Sequence, residues 1–227
     1  QPGLMFERDR PSRIGIVPRH GDNRSIRWFE SPPCYVFHTL NAYEDGDEVV
    51  LLACRMSSTS MLMSEPAPGE TDGEFARLYR WRFDLSNGTV REEALDDRAS
   101  DFPRLNEQLM GRSHRYGYAA KMAPIPMPVF DGLIKYDFAR GSSETHEFGQ
   151  ERFGGEAVFV PHPDASDEDA GWLVTFVYDA GEDTSELVVV NAQDVKSEPV
   201  ARVIIPQRVP YGFHGIWVSE EELSRSI

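Results

Sequence analysis

Short runs of β-branched and aromatic residues, broken every few positions by Gly, Asn, Asp or Pro, dominate the chain. Runs of this length and composition read as buried or half-buried strands. They predict strands at Arg13–Pro18, Ile26–Phe29, Tyr35–Tyr43, Glu48–Met56, Leu78–Leu85, Thr89–Ala94, Arg115–Lys121 and Leu133–Asp137. Further strands are predicted at Ser143–Phe148, Ala157–Pro161, Trp172–Tyr178, Glu186–Asn191 and Ala201–Ile205. Amphipathic helical stretches are scarce. Leu105–Met110 reads as a short turn of helix, and Ser219–Ser226 as a helix with Ser219 at its N-cap and Glu220–Glu222 in its first turn.

One pattern recurs. The run Leu78–Asp84 leads into Ser86-Asn87-Gly88 and a second strand, and Leu133–Asp137 leads into Arg140-Gly141-Ser142 and a second strand. Leu187–Asn191 leads into a turn at Asp194–Glu198 and the strand Ala201–Ile205. The punctuating residues Asp84, Asp137 and Asn191 fall 53 and then 54 positions apart. Each of these hairpins follows another pair of strands. A four-strand unit recurring at such a period marks the blade of a β-propeller, although a sandwich can also repeat strands of fixed length. The expected class is all-β, a partial β-propeller of about four blades: three clear repeats and a leading portion. Propellers close with roughly four to eight blades. An open arc exposes strand edges, and the chain opens on Gln1-Pro2-Gly3 without an initiator Met. Two expectations follow: a processed or trimmed start, or a large portion missing in front.

Composition narrows the class. The 227 residues carry a formal net charge of −15, with 40% hydrophobic and 11% aromatic residues. That is enough apolar material for a core. The acidic balance argues against non-specific nucleic-acid binding, which needs Lys and Arg to neutralise phosphates, and against a polybasic membrane anchor. No apolar run approaches the roughly 20 residues of a membrane-spanning helix, and Gln1–Arg10 has no apolar core of a signal peptide. Cys34 and Cys54 form neither a C-x-x-C nor a disulfide framework. A soluble protein of a reducing compartment, the cytoplasm, is expected.

Six histidines are present: His20, His38, His114, His146, His162 and His214. The chain has no zinc-finger spacing, no G-x-S-x-G, no P-loop and no G-x-G-x-x-G ahead of a helix. A hydrolase triad or nucleotide site has no basis here. His38 sits in Phe37-His38-Thr39 after the apolar Cys34-Tyr35-Val36, and His214 sits in Phe213-His214-Gly215 after Val209-Pro210-Tyr211-Gly212. An imidazole amid apolar sequence costs desolvation unless it finds a partner. Each therefore reads either as a satisfied structural histidine or as a metal ligand near a propeller axis.

Longer segments resemble a known family. Phe37-His38-Thr39-Leu40-Asn41-Ala42-Tyr43-Glu44, followed by Gly46-Asp47-Glu48-Val49-Val50, resembles the third iron-ligand segment of the carotenoid cleavage dioxygenases. Pro210-Tyr211-Gly212-Phe213-His214-Gly215 resembles their C-terminal ligand segment. Asp101-Phe102-Pro103-Arg104-Leu105-Asn106, with His114-Arg115-Tyr116-Gly117-Tyr118, resembles the segment that family writes as Glu-Phe-Pro-Arg. Gly155-Glu156-Ala157-Val158-Phe159-Val160-Pro161 is similar to another of its blocks. The resemblance runs in order over nearly the whole chain. It implies that residues 1–227 are a single C-terminal portion of a seven-bladed propeller in which four histidines hold non-haem Fe(2+) and glutamates behind them fix the rings. The implied reaction cleaves an alkene with O2 into two carbonyl products.

On this resemblance His38 and His214 are the third and fourth metal ligands, Glu156 is one carboxylate behind them, and Asp101 is a candidate for another. Neutral imidazole suits Fe(II), and a carboxylate on the far ring nitrogen sets the tautomer. Asp101 is one methylene shorter than the family's Glu, so its bond to the ring is expected to need a water or a shifted backbone. The other two ligands belong to the missing N-terminal half of the propeller, a partner in the resemblance. His20 reads as a solvent-facing turn residue, His114 as ordering a loop, His146 as an outer-strand residue and His162 as exposed.

The apolar, Pro-spaced segment Met122–Phe130 reads either as a loop over the propeller face or as the lining of an apolar tunnel or membrane-touching patch. Phe37 and Phe213 are expected to flank the substrate's double bond, and Ser57–Gly73 to form an excursion at the rim. Members of the family cleave carotenoids and apocarotenoids or stilbenes. The partners implied are an apolar polyene or stilbene-type small molecule and O2, with peripheral membrane contact open and no nucleic acid. A second class stands beside this reading: an inactive propeller fragment serving as a binding or scaffold module. The 227 residues alone are expected to lack activity. A hydrolase or lectin is disfavoured for want of a nucleophile or sugar-site constellation.

Overall fold

The computed structural model describes residues 6–58, 75–125 and 127–225. Within them the strands follow one another as antiparallel meanders. β1 (Ser12–Ile16) and β2 (Arg27–Ser31) make a two-stranded ribbon. β3 (Tyr35–Asp45), β4 (Glu48–Met56), β5 (Arg77–Asp84) and β6 (Val90–Ala94) form one four-stranded sheet in sequence order. β7 (Ser100–Arg104), β8 (Tyr116–Met122), β9 (Phe130–Asp137) and β10 (Ser142–Glu147) form a second. The third sheet holds β11 (Arg152–Phe153), β12 (Val158–Pro161), β13 (Gly171–Asp179), β14 (Thr184–Asn191) and β15 (Ala201–Ile205), with β11 and β12 both pairing with β13. Successive four-stranded meanders are the blade pattern of a propeller.

The repeat seen in the sequence has a local cause. Asp84 Oδ1 accepts the Ser86 N–H at 2.8 Å, Asp137 Oδ1 accepts the Arg140 N–H at 3.2 Å, and Asn191 Oδ1 accepts the Gln193 N–H at 2.9 Å. Each punctuating residue thus ties down the turn that follows its strand, as Asx side chains do. Gly88 (φ 80°) and Gly141 (φ 61°) supply the left-handed backbone that closes the first two of these turns.

Two strands escape a reading by periodicity. β7 contains Pro103, which cannot donate to a ladder; it is tolerated because β7 is the edge of its sheet. β11 spans only Arg152–Phe153. The helix foreseen at Leu105–Met110 is a 3-10 turn at Glu107–Leu109. The C-terminal helix, α1 (Glu220–Arg225), is capped as foreseen: Ser219 Oγ accepts the Glu222 N–H at 3.2 Å, and Glu222 Oε2 accepts the Ser219 N–H at 2.9 Å. No helix among the described residues is long and apolar enough to cross a membrane. Residues 59–74, the greater part of the foreseen rim excursion, and Pro126 lie outside the described residues.

The chain divides into two compact units. The first comprises Gln1–Asp101, Met110–Ser113 and Pro124–Pro126; the second comprises Phe102–Leu109, His114–Ala123 and Met127–Ile227. In the first, Phe29, Ala53, Trp81 and Phe83 form the core, with Ile14, Val36 and Leu51 packed against it. Trp81 Nε1 donates to Ser31 Oγ (3.1 Å) and Glu92 Oε2 (2.9 Å), so this large ring is buried without stranding its N–H. The neighbouring positions Arg80 and Arg82 point the other way, to Glu93 and to Asp45 and Glu48, as strand alternation requires. In the second unit Tyr118, Leu133, Phe159, Leu173, Val188 and Val190 build the core. A buried Lys135 on β9 pairs there with Asp169 at 2.6 Å.

Two outcomes follow. Trp81→Phe keeps an aromatic ring but removes the donor to Ser31 and Glu92, and should cost about 1–3 kcal/mol in urea unfolding; an unchanged midpoint would show that the bond contributes nothing. The Arg115 guanidinium, 2.6 Å from Asp137, draws that carboxyl below its usual range. A depressed folded-state pKa adds stability above the ordinary carboxylate pKa and loses it as pH falls through the folded value. Asp137→Asn should therefore lower stability at neutral pH and flatten the acid limb of the stability curve, measured by thermal unfolding from pH 7 to pH 2.

Candidate functional site

His38 sits where β3 slips against β4. Val36 faces Arg55 and Thr39 faces Ala53, so Phe37 and His38 together oppose the single residue Cys54. Such a bulge re-aims a side chain that regular alternation would place elsewhere. The His38 ring is 20% exposed, and its Nδ1 lies 2.9 Å from Asp101 Oδ1, itself 13% exposed. The aspartate thus reaches the ring directly, with no water between them. The Phe37 ring centroid is 5.9 Å from that of His38, and Phe37 is 41% exposed. Burial above all, with the Asp101 charge adding to it, pushes the Cys54 thiol well up, so Cys54 offers a neutral thiol and no thiolate.

His214 belongs to the segment between β15 and α1, which has no regular structure. Its side chain is 56% exposed, and the exposed apolar residues Phe213, Ile216 and Trp217 flank it in sequence. The anchor is Glu156, whose side chain is 5% exposed. Glu156 Oε1 lies 3.1 Å from His214 Nδ1, and Oε2 accepts the Gly215 N–H at 2.9 Å. Arg104 Nη1 reaches Oε1 at 3.3 Å, giving the buried carboxylate a compensating charge. The Phe102 ring stands edge-on to His214 with centroids 5.7 Å apart.

Both candidate histidines therefore present the same chemistry, one in each unit. An ionised carboxylate can only accept, so the Nδ1 facing it carries the proton and the lone pair of the neutral ring lies on Nε2. Neutral nitrogen donors with a carboxylate behind them fit a divalent first-row metal such as Fe(II). Among the described residues no group of three or more His, Cys, Asp or Glu side chains could hold a metal by itself. The remaining histidines lie elsewhere: His20 and His162 are exposed, His114 packs edge-on to Phe138, and His146 is buried with Nδ1 2.8 Å from the Val195 carbonyl. In the apolar segment, Met122, Val129 and Phe130 are buried, whereas Ile125 and Met127 are exposed. Reasoning from sequence missed Phe102 and Arg104, although both stand in the quoted Asp-Phe-Pro-Arg run.

Successive blade-like meanders define a propeller-type protein, and the comparisons with known proteins specify it further. The family model described as RPE65: Retinal pigment epithelial membrane protein matches residues 1–219. The chain belongs to this family, that of the carotenoid oxygenases. It is 39% identical to a carotenoid 9,10(9',10')-cleavage dioxygenase of Crocus sativus, over 97% of this chain and 43% of that protein. It is 38% identical to a carotenoid cleavage oxygenase of Mycobacterium tuberculosis, over 91% of this chain and 42% of that one. Among solved structures, cobalt-substituted Synechocystis ACO matches with a TM-score of 0.84 at 29% identity, over 94% of this chain and 45% of that chain. The lignostilbene dioxygenase of Pseudomonas brassicacearum matches with a TM-score of 0.84 at 30% identity, over 93% and 48%. The chain thus spans less than half the length of these relatives.

Removing the anchor of the His214 segment should be visible locally. Glu156→Ala deprives the Gly215 N–H of its acceptor and should speed amide hydrogen exchange at Gly215 while the β13–β14 pair stays protected. Equal exchange at Gly215 in both proteins would dismiss the anchoring role.

Proposed function

We propose that these residues belong to a non-haem Fe(II)-dependent dioxygenase that cleaves an alkene double bond of a carotenoid or apocarotenoid with O2. The observation that carries the reading is the matched pair of histidines, each with Nδ1 held by a carboxylate. The cleavage activities for which the relatives are named support it, as does the cobalt of cobalt-substituted Synechocystis ACO. Because the chain covers 42–43% of the two carotenoid-cleaving relatives, the reaction is proposed for a protein of their length containing these residues.

In this reading His38 and His214 each serve as an iron ligand through Nε2. Asp101 and Glu156 hold the Nδ1 protons, fix the ring tautomer and limit rotation of each imidazole. When bound, Fe(II) supplies the one-electron chemistry that lets triplet O2 react with a closed-shell alkene. The balance is simple: the carbon–carbon double bond and the O–O bond break, each alkene carbon gains one oxygen, and two carbonyl products form with no added reductant. Phe37, exposed beside His38, offers an apolar face to a polyene; Phe213 is assigned the corresponding part beside His214. The free cysteines suit the reducing cytoplasm in which we place the protein.

A stilbene-type substrate is the second reading, favoured by the likeness to the lignostilbene dioxygenase. Incubating the full-length protein with an apocarotenoid and with a hydroxystilbene, and identifying the aldehydes formed, separates the two. His38→Ala and His214→Ala should each abolish turnover and lower bound iron. Either variant retaining full activity and full iron content would refute the ligand assignment, and a purified full-length protein without metal or cleavage would favour the scaffold reading.

A further inference from the structure

We propose that Phe102 and Arg104 are positioning residues for His214, Phe102 through its ring and Arg104 through the Glu156 carboxylate. The assignment deepens the reading of His214 as an iron ligand and rests on it for its functional consequence. Phe102 and Arg104 lie two residues apart on β7 with Pro103 between them, and the side chains of both reach the His214–Glu156 pair. Phe102 has φ 52°, a left-handed backbone that a bulky residue adopts only where its surroundings impose it. What holds it is packing: the ring is 8% exposed, 5.3 Å from the Phe130 ring and edge-on to His214 at 5.7 Å.

Arg104 acts one step back. Its guanidinium is 15% exposed and braced on two sides, with Nη1 on Glu156 Oε1 and Nη2 on the Glu107 carboxylate. The guanidinium thus bridges two carboxylates, and its single 3.3 Å contact from Nη1 helps hold Glu156, whose two oxygens meet His214 Nδ1 and the Gly215 N–H. The need for such a brace lies in the exposure of the ligand. His214 is 56% exposed, so the buried Glu156 it faces at 3.1 Å contributes to its orientation. Glu156 is in turn in contact with the Arg104 guanidinium.

The test reads the ring directly and needs no iron. In the full-length protein freed of metal, long-range 15N–1H spectra of His214 should show the Nδ1–H tautomer. Arg104→Gln should convert it to the tautomer mixture of an unrestrained histidine, and Arg104→Lys, which keeps the charge but not the fork, should fall between the two. Phe102→Leu should shift the His214 ring protons through loss of the neighbouring ring current. In the full-length protein Arg104→Gln should weaken Fe(II) binding roughly 10–100-fold, with partial recovery in Arg104→Lys. Unchanged His214 signals in Arg104→Gln would overturn the role of Arg104, and unchanged ring protons in Phe102→Leu that of Phe102. Should Arg104→Gln fail to fold by circular dichroism, Arg104→Lys decides the same question. If the ring responds as stated but His214→Ala retains its iron, the ligand reading fails while the positioning role stands.

Discussion

A carboxylate set against one nitrogen of an imidazole decides what the other nitrogen can do. In this chain that contact is made twice, by Asp101 on His38 and by Glu156 on His214, at 2.9 Å and 3.1 Å. An ionised carboxylate only accepts, so a ring bonded to it donates from Nδ1, and in the neutral tautomer the lone pair falls to Nε2. Everything else about the candidate ligands follows from keeping those carboxylates in place. For Glu156 this means burial, a guanidinium and a backbone N–H; for Asp101 it means a position on a short edge strand.

Neither contact is produced by regular secondary structure. His38 points as it does because β3 carries an extra residue against β4, and the turn of the chain at Phe102 depends on a left-handed backbone in a side chain that disfavours it. His214 lies outside any strand. Regular strands supply the frame, and the chemistry sits at its irregularities, which is where strain and bulges are most often kept. The frame itself is conventional: alternate strand faces divide between aromatic cores and salt-bridged surfaces, as Trp81 and Phe83 do against Arg80 and Arg82.

Family membership, the fold and the paired histidines converge on one reading. The family supplies the expectation of a metal-dependent cleavage of alkenes, while this chain supplies two histidines that each face a carboxylate. The positioning role of Phe102 and Arg104 extends the same logic outward by one layer of contacts.

Much of this was legible in the sequence. Strand positions followed from runs of β-branched and aromatic residues, and the period of Asp84, Asp137 and Asn191 survived because each one closes a turn by its own side chain, a purely local act. β7 was hidden because Pro103 contradicts strand propensity unless the strand is an edge, and edges are defined by neighbours. The residues flanking each histidine named the candidate ligands, and Asp101 and Glu156 were named as candidate carboxylates, but Arg104 was passed over. Distance and charge compensation depend on which side chains meet across segments 52 to 63 residues apart. Local sequence thus determined which strands and turns form; only the tertiary packing decided which carboxylate holds which imidazole, because that choice is made between residues with no neighbourly relation along the chain.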